Sequence, residues 1–348
     1  MIELNHDSLI FSFPDVHEDA QLTVNFQRTL RIPDDDRTYP LPPGLGRFPV
    51  RHVDDFAKSV PPPWMERGGV MLPMYQSEAM WLLFGAKRDP ERGSAYPFAI
   101  KIAAGKVDAV TGESWSDSLG RSPQDYMVAP KQPWLDGYCV EKGTIRQFVA
   151  MPLGDGYTAE EQITGKAEHG GLQIIAYPMK REVYERRFPK RPVAPGRFRA
   201  NADLTMSGAI PCAPSAAAPD MGLAPGGRMT QTIYDDPFDA DDWDLEHSSR
   251  CFVHISNSLA WRAITGKEPP STPLSATEYQ RCGLPWFEHY ADGKALGAMD
   301  KLKNLFSISE LATQKGTNPL PENESVVPDP IIKLREGLKE GQVREGSF

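Results

Sequence analysis

The chain has 348 residues, of which 40% are hydrophobic and 24% are charged, and its formal net charge is −9. A chain of this length can build one large domain or two ordinary domains with cores of their own. Its longest apolar stretch covers only residues 79–86, whereas a membrane-spanning helix needs roughly 20 apolar residues. The composition therefore predicts a soluble protein without a transmembrane segment.

Charge and cysteine usage argue against several partners and cofactors. Residues 1–7 show neither the basic nor the apolar part of a secretory signal, so we expect a cytoplasmic protein. The negative net charge repels nucleic-acid phosphates and acidic membrane surfaces, and neither is expected as a partner. The cysteines form no Cys-x-x-Cys pair, which argues against a zinc site or a disulfide framework; they are Cys139, Cys212, Cys251 and Cys282.

Alternating apolar and polar side chains predict β-strands in the first half of the chain. The clearest runs are residues 22–27, 98–102, 145–151 and 172–177. A helix is predicted over residues 76–84, QSEAMWLLF, because this run holds no helix breaker and its apolar positions lie three and four residues apart.

Capping sequences predict four further short helices, three of them in the last third of the chain. Each starts at a residue whose side chain can accept a hydrogen bond from the first turn, and three of these residues are followed by glutamate at the capping-box position. The N-cap residues are Thr158, Asn257, Ser275 and Ser307.

Thirty-three prolines and 29 glycines indicate short elements joined by many loops. We predict an α+β fold with predominantly short β-strands, long Pro/Gly-rich loops and helices concentrated in the C-terminal third. A mainly β lobe with short helices covers residues 1–188, a Pro/Gly/Ala-rich loop or linker covers 189–227, and a helix-richer region covers 228–348. These regions either form separate lobes or pack together as one domain.

No catalytic motif is present with the context that its chemistry needs. The chain lacks the Gly-x-Ser-x-Gly turn of serine hydrolases, the phosphate-binding Gly-x4-Gly-Lys-Ser/Thr loop, the Gly-x-Gly-x-x-Gly dinucleotide turn and the His-Glu-x-x-His zinc pair. Any active site must therefore be assembled from residues that the fold brings together.

The candidate catalytic residues lie around one histidine. His169 can act as a general base near Glu160 or Glu161, because an imidazole titrates close to neutral pH. Cys139 is the candidate thiol nucleophile for that base. The alternative is a turn histidine whose hydrogen bonds are satisfied locally.

An acidic stretch at residues 235–247 is the candidate metal site. Carboxylate oxygens are the ligands that Ca²⁺ prefers, and the candidates here are Asp239, Asp241, Asp242 and Asp244. The spacing does not fit an EF-hand that starts at Asp239, since Trp243 takes the third ligand position and no glycine follows it. We therefore expect a solvated acidic loop and no cofactor.

A basic stretch at residues 180–199 contains Arg186 and Arg187, the candidates for binding an anionic ligand. This stretch has eight basic and two acidic residues, whereas residues 235–246 have seven acidic and no basic ones. The preferred interpretation is that the two segments neutralise each other, either within one chain or across a contact between subunits.

Two tryptophans in loop contexts are the candidate binding aromatics. Trp134, followed by Asp136 and Gly137, and Trp286, preceded by Pro285, can each anchor a partner or a sugar. Core packing is the alternative use of both rings.

Several stretches together resemble a family of bacterial and fungal hypothetical proteins. They are residues 39–46 (YPLPPGLG), 132–137 (QPWLDG), 145–154 (IRQFVAMPLG) and 170–174 (GGLQI), and the resemblance runs from about Phe26 to Val326. That family has no established activity, fold or catalytic residue, so the resemblance implies no function.

The sequence favours a non-catalytic binding or self-assembly protein that associates with itself or with another protein. This preference rests on the absence of catalytic motifs, on the tryptophans in loop contexts and on the two segments of opposite charge. The alternative is an uncharacterised hydrolase or metal-dependent enzyme that uses Glu160, Glu161 and His169 or the acidic loop 235–247.

Overall fold

The computed structural model describes residues 1–190, 220–290 and 294–335, and β-strands dominate these ranges. The strands are β1 (Ile2–Asn5), β2 (Ser8–Ser12), β3 (Gln21–Thr29), β4 (Thr38–Tyr39), β5 (Gly44–Arg47), β6 (Arg51–His52), β7 (Val70–Pro73), β8 (Ala79–Ala86), β9 (Arg88–Asp89), β10 (Ser94–Ala95), β11 (Phe98–Ala104), β12 (Val107–Asp108), β13 (Met127–Ala129), β14 (Trp134–Leu135), β15 (Gly137–Glu141), β16 (Thr144–Pro152), β17 (Leu172–Pro178), β18 (Met221–Thr230), β19 (Ser249–Ser256), β20 (Trp286–Tyr290) and β21 (Ile331–Arg335).

The α-helices in these ranges are short, none longer than eight residues. They are α1 (Pro62–Arg67), α2 (Ala159–Thr164), α3 (Arg181–Arg187), α4 (Ser258–Thr265), α5 (Ala276–Arg281), α6 (Asp300–Lys303) and α7 (Ile308–Lys315). None of them is long and apolar enough to cross a bilayer.

Seventeen strands form one sheet, and most of its pairings are antiparallel. β3 pairs with β2 and β8, β11 pairs with β17, β17 pairs with β19, and β16 pairs with β18. Two pairings are parallel, β4 with β18 and β7 with β19. β20 and β21 form a separate parallel pair.

The sheet wraps around one main core because alternate residues of its strands point to the same side. Four strands from distant parts of the sequence contribute to this single cluster of buried side chains. Their contributions are Leu22, Val24 and Phe26 from β3, Met80, Leu82 and Phe84 from β8, Phe98, Ile100 and Ile102 from β11, and Leu172, Ile174 and Ala176 from β17.

Glutamine side chains replace a backbone ladder where residues 231–236 pass beside residues 124–136. Gln124 donates to the Tyr234 carbonyl at 3.2 Å and accepts from the Asp236 amide at 2.9 Å. Gln132 repeats this pattern, donating to the Thr232 carbonyl and accepting from the Tyr234 amide. A primary amide carries the same donor and acceptor as a peptide group, so these side chains join two segments that lack regular pairing.

Several sequence predictions are confirmed at the level of local structure. The runs 22–27, 98–102, 145–151 and 172–177 lie in β3, β11, β16 and β17. Thr158, Asn257, Ser275 and Ser307 are N-cap residues whose side chains accept from the first turn, and the three boxes with glutamate are complete.

The predicted fold class is wrong. The protein is mostly β-sheet rather than α+β with helices concentrated in the C-terminal third, and α1, α2 and α3 lie before that third. The predicted helix 76–84 is the clearest error, because residues 79–86 form β8 and pair with β3 over eight positions. A short apolar run fits both the helical and the strand periodicity, and here the pairing with β3 selects the strand.

The predicted linker 189–227 is partly wrong, because Met221–Gly227 belongs to β18, which pairs with β16. Residues 191–219 of that linker lie outside the described ranges. The glycines that suggested a loop are required by close packing: a Cβ on Gly227 would lie 2.3 Å from the Pro33 carbonyl oxygen. β19, which lies beyond the predicted linker, belongs to the same sheet as β1–β3.

A buried histidine makes the stability of this fold depend on pH. His254 on β19 is 2% exposed and stacks on Trp64, with 4.5 Å between ring centroids. Its Nε2 donates to the Gly68 carbonyl at 3.0 Å. Burial lowers the pKa of His254 to about 4.

We expect His254 to destabilise the protein as the pH falls from about 6.5 to about 4. The unfolded chain binds a proton that the folded protein excludes, so a contribution of about 3 kcal/mol is complete above pH 6.5 and lost on acidification. Urea unfolding near neutral and near acidic pH measures it against His254→Gln, which keeps a donor for the Gly68 carbonyl. The same pH dependence in both proteins would contradict this assignment.

Candidate functional site

Glu161, one of the candidate catalytic carboxylates, is used to build the start of α2. Its Oε2 accepts from the backbone amide and hydroxyl of Thr158, while the Thr158 hydroxyl accepts from the Glu161 amide. Its Oε1 accepts from the amides of Gly154 at 2.9 Å and Gly156 at 2.8 Å. Both oxygens are therefore engaged in holding the turn before α2, which explains the residue without a catalytic role.

Glu160 and His169 are brought together, as the sequence suggested. Glu160 is 3% exposed, and its Oε1 lies 2.9 Å from His169 Nδ1. The same carboxylate accepts from the amides of His169 at 2.9 Å and Gly170 at 2.8 Å. Gly105 permits this position, since a Cβ there would lie 2.3 Å from Glu160 Oε2.

This contact fixes the tautomer of the imidazole. An ionised carboxylate can only accept, so Nδ1 of His169 carries a proton, and in the neutral imidazole Nε2 presents a lone pair. No residue in the described ranges hydrogen-bonds to Nε2. The His169 side chain is 19% exposed, so the pair has the orientation of a general base and the group that positions it.

Within the described ranges, no hydroxyl or thiol is hydrogen-bonded to His169 to serve as its nucleophile. Cys139 is buried, and its Sγ contacts the Glu141 carbonyl rather than the imidazole. Burial raises the pKa of Cys139 to about 11, which keeps the thiol protonated and unreactive at neutral pH. The described residues therefore supply a base but not the pair of groups that nucleophilic catalysis requires.

The two candidate binding tryptophans pack against the same hydrophobic cluster. Trp286 is 0% exposed, with its ring centroid 6.0 Å from Tyr39 and 5.6 Å from Tyr279. Trp134 is partly buried against this cluster. Trp286 is thus a core residue and cannot anchor an external partner in this arrangement.

Asp136 lies beside Trp134 and is fully buried rather than placed to bind a ligand. Its backbone amide donates to Gln231 Oε1 at 3.0 Å, and its Oδ2 has no partner among the described residues. A cavity lined in part by Gln231 and Trp134 has about 20 Å³, the space of one water molecule. Burial raises the pKa of Asp136 to about 7.

The oppositely charged segments neutralise each other within the chain at Arg187. Its Nη2 lies 2.8 Å from Asp239 Oδ2 and 2.7 Å from Asp242 Oδ2. Asp244 pairs with His247 at 2.9 Å, whereas Arg186 and Asp241 are exposed. Across the described ranges, no three His, Cys, Asp or Glu side chains are grouped so that they could hold a metal ion.

A cleft that the sequence did not reveal lies between α2 and the connection from α6 to α7. We name it the α2–α7 cleft; it has about 650 Å³ and is lined by Ser114, Gly156, Gln162, Ile163, Thr164, Lys301, Asn304, Leu305, Phe306 and Leu311. These residues come from four separate parts of the sequence, so no local motif marks them. The sequence offers one local signal for the cleft, an aromatic residue, Phe306, directly before the N-cap Ser307.

Phe306 is held firmly at this cleft although its side chain is 47% exposed. The Gln162 amide donates to the Phe306 carbonyl at 3.0 Å and accepts from the Phe306 amide at 2.9 Å. Phe306 precedes the N-cap Ser307, and Leu311 follows four residues after that cap, the positions of a hydrophobic staple. Gln162 thus fixes the backbone of Phe306 through both its carbonyl and its amide group.

No family model, curated protein or solved structure matches this chain. Its own geometry is therefore the basis on which a function can be proposed.

We expect Asp136→Asn to flatten the pH dependence of stability between about pH 4 and pH 8. The folded protein favours the neutral carboxyl, so its contribution is present below the unfolded pKa and lost as the pH rises through about 7. The full difference amounts to about 4 kcal/mol. Urea unfolding at several pH values tests this, with the exposed Asp55→Asn as control; an unchanged slope in Asp136→Asn would rule it out.

Glu160→Gln is expected to lower the free energy of unfolding by about 2 kcal/mol. The new amide nitrogen must face one of the N–H groups that the carboxylate accepts from. Glu168→Gln, whose side chain is 53% exposed in the same loop, is the control and should leave stability unchanged. Equal unfolding midpoints for the two variants would show that the Glu160 bonds contribute nothing.

Proposed function

We propose that this chain is a non-catalytic binding protein that takes a small molecule in the α2–α7 cleft. The observation that carries the proposal is Phe306, an aromatic ring left 47% exposed at a cleft while Gln162 fixes its backbone. The volume of about 650 Å³ supports it, because small-molecule sites measure roughly 300 to 1,000 Å³.

The energetics of Phe306 favour a ligand over a purely structural role. Burying a large apolar side chain stabilises a protein by about 1.5–3 kcal/mol relative to leaving it exposed. Nearly half of the Phe306 side chain stays in water. A ligand that covers this exposed surface recovers that free energy without ordering the protein further.

Self-assembly, the other form of the sequence-based proposal, has less support. The ion pairs from Arg187 to Asp239 and Asp242 use within one chain the charges that would otherwise join two copies. Association with another protein and a cytoplasmic location stay predictions.

One observation favours the enzymatic alternative, the contact between Glu160 and His169 at 2.9 Å. It would serve a reaction in which the base activates water, since the described residues bring no nucleophile to the imidazole. A hydrolase of this kind is the second candidate function.

The binding proposal is tested by methyl-labelled NMR with a library of small neutral, anionic and cationic fragments. Ile163, Leu305 and Leu311 line the cleft and report on it, while Ile264 in α4 lies elsewhere. We expect binding fragments to shift the first three methyl signals and leave Ile264 unchanged.

A substitution that blocks the cleft provides the control for that experiment. Asn304→Trp should abolish these shifts by filling the cleft, whereas Leu259→Trp, at a residue 72% exposed on α4, should preserve them. Fragments that bind equally to both variants, or a library without a binder, would contradict the proposed function.

A further inference from the structure

The charge of the α2–α7 cleft restricts the ligand that it can take. Its lining contains no carboxylate and one cation, Lys301, whose Nζ lies 2.5 Å from Glu113 Oε2. This pair is locally neutral, and the chain as a whole carries a net charge of −9. An anionic ligand would compete with Glu113 for Lys301, and a cationic ligand would be repelled by Lys301, so we expect the cleft to favour a neutral ligand.

The polar groups of the cleft divide into those that hold the protein together and those that face the solvent. Gln162 bonds to Tyr157 and Phe306, and the Thr164 hydroxyl donates to the Glu160 carbonyl at 2.7 Å. Asn304 and Ser114 are exposed and make no side-chain hydrogen bond within the described part of the chain. Their amide and hydroxyl groups each donate and accept, which suits ligand hydroxyls.

The apolar part of the cleft is an aromatic surface on an aliphatic base. Phe306 exposes its ring, and Leu305 and Leu311 are largely buried residues of the cleft lining. A pyranose has an apolar C–H face that covers such a ring and a rim of hydroxyls that reach polar side chains. A wholly apolar ligand would instead bury Asn304 and Ser114 without partners, which is unfavourable.

We infer that the α2–α7 cleft binds a neutral carbohydrate, with the C–H face of one sugar ring against Phe306 and its hydroxyls bonded to Asn304 and Ser114. This inference rests on the proposed function and narrows it to one ligand class. It assigns Phe306 the stacking role that the sequence suggested for Trp134 and Trp286.

The test titrates the methyl-labelled protein with glucose, galactose, mannose, N-acetylglucosamine, maltose and cellobiose. Gluconate and glucosamine are the charged counterparts, and benzamide is an aromatic ligand without sugar hydroxyls. We expect at least one neutral sugar to shift the methyl signals of Ile163, Leu305 and Leu311 and to receive saturation transfer at its ring C–H protons. The charged counterparts and benzamide should bind more weakly.

Phe306→Leu separates stacking from folding, because leucine keeps an apolar side chain at the staple position and removes the ring. We expect its thermal midpoint to stay close to that of the parent protein while the sugar Kd rises about fivefold. Phe306→Tyr should retain the affinity, and Asn304→Ala should weaken it. Equal sugar affinity in Phe306→Leu and the parent would overturn the inference.

The outcomes distinguish this inference from the proposed function. If charged or aromatic fragments shift the cleft methyls and no neutral sugar does, the carbohydrate inference fails and the proposed function stands. If neither the sugars nor the fragments shift them, both fail.

Discussion

The hydrogen bonding of one strand, β16, joins the strands around β3 and β8 to the strands around β18. One edge of β16 pairs with β18 along its length, and the other edge is shared between β15 and the first residues of β8. A strand has only two edges, so the pairing of β16 with β15 must stop at Gln147, opposite Gly137, before its pairing with β8 starts at Phe148. Gly137 allows the change, because a Cβ there would lie 1.8 Å from the Arg146 carbonyl oxygen. β1, β2, β3, β5 and β8 reach the rest of the sheet through this junction, whereas β4 pairs directly with β18 and β7 with β19.

Most of the polar residues that appeared functional in the sequence turn out to satisfy the backbone or one another. Glu161 completes a capping box, and Arg187 pairs with Asp239 and Asp242. A buried or crowded polar group must find partners, and in a protein with many irregular connections the nearest unsatisfied groups are backbone amides and carbonyls. Residue type alone therefore overestimates the number of functional residues in a loop-rich β-protein.

The α2–α7 cleft also depends on a side chain that bonds to backbone groups. Gln162 joins α2 to the residue before α7 in the way that strands are joined elsewhere, and this bond holds the cleft open with Phe306 at its surface. Glu160, two residues earlier on α2, faces the opposite way towards His169 and Gly105. One short helix thus positions both the candidate binding site and the candidate base.

The sequence by itself determined the local elements whose signals are short-range: the alternating strands such as residues 172–177 and the helix starts at Thr158 and Ser307. Only the tertiary structure decided that residues 79–86 form a strand, because their apolar run fits two periods and pairing with β3 selects one. It also decided that Glu160 contacts His169 and that four segments far apart in sequence, including Ser114 and Leu311, line one cleft. Such contacts depend on how distant segments pack, and local periodicity and capping carry no record of that packing.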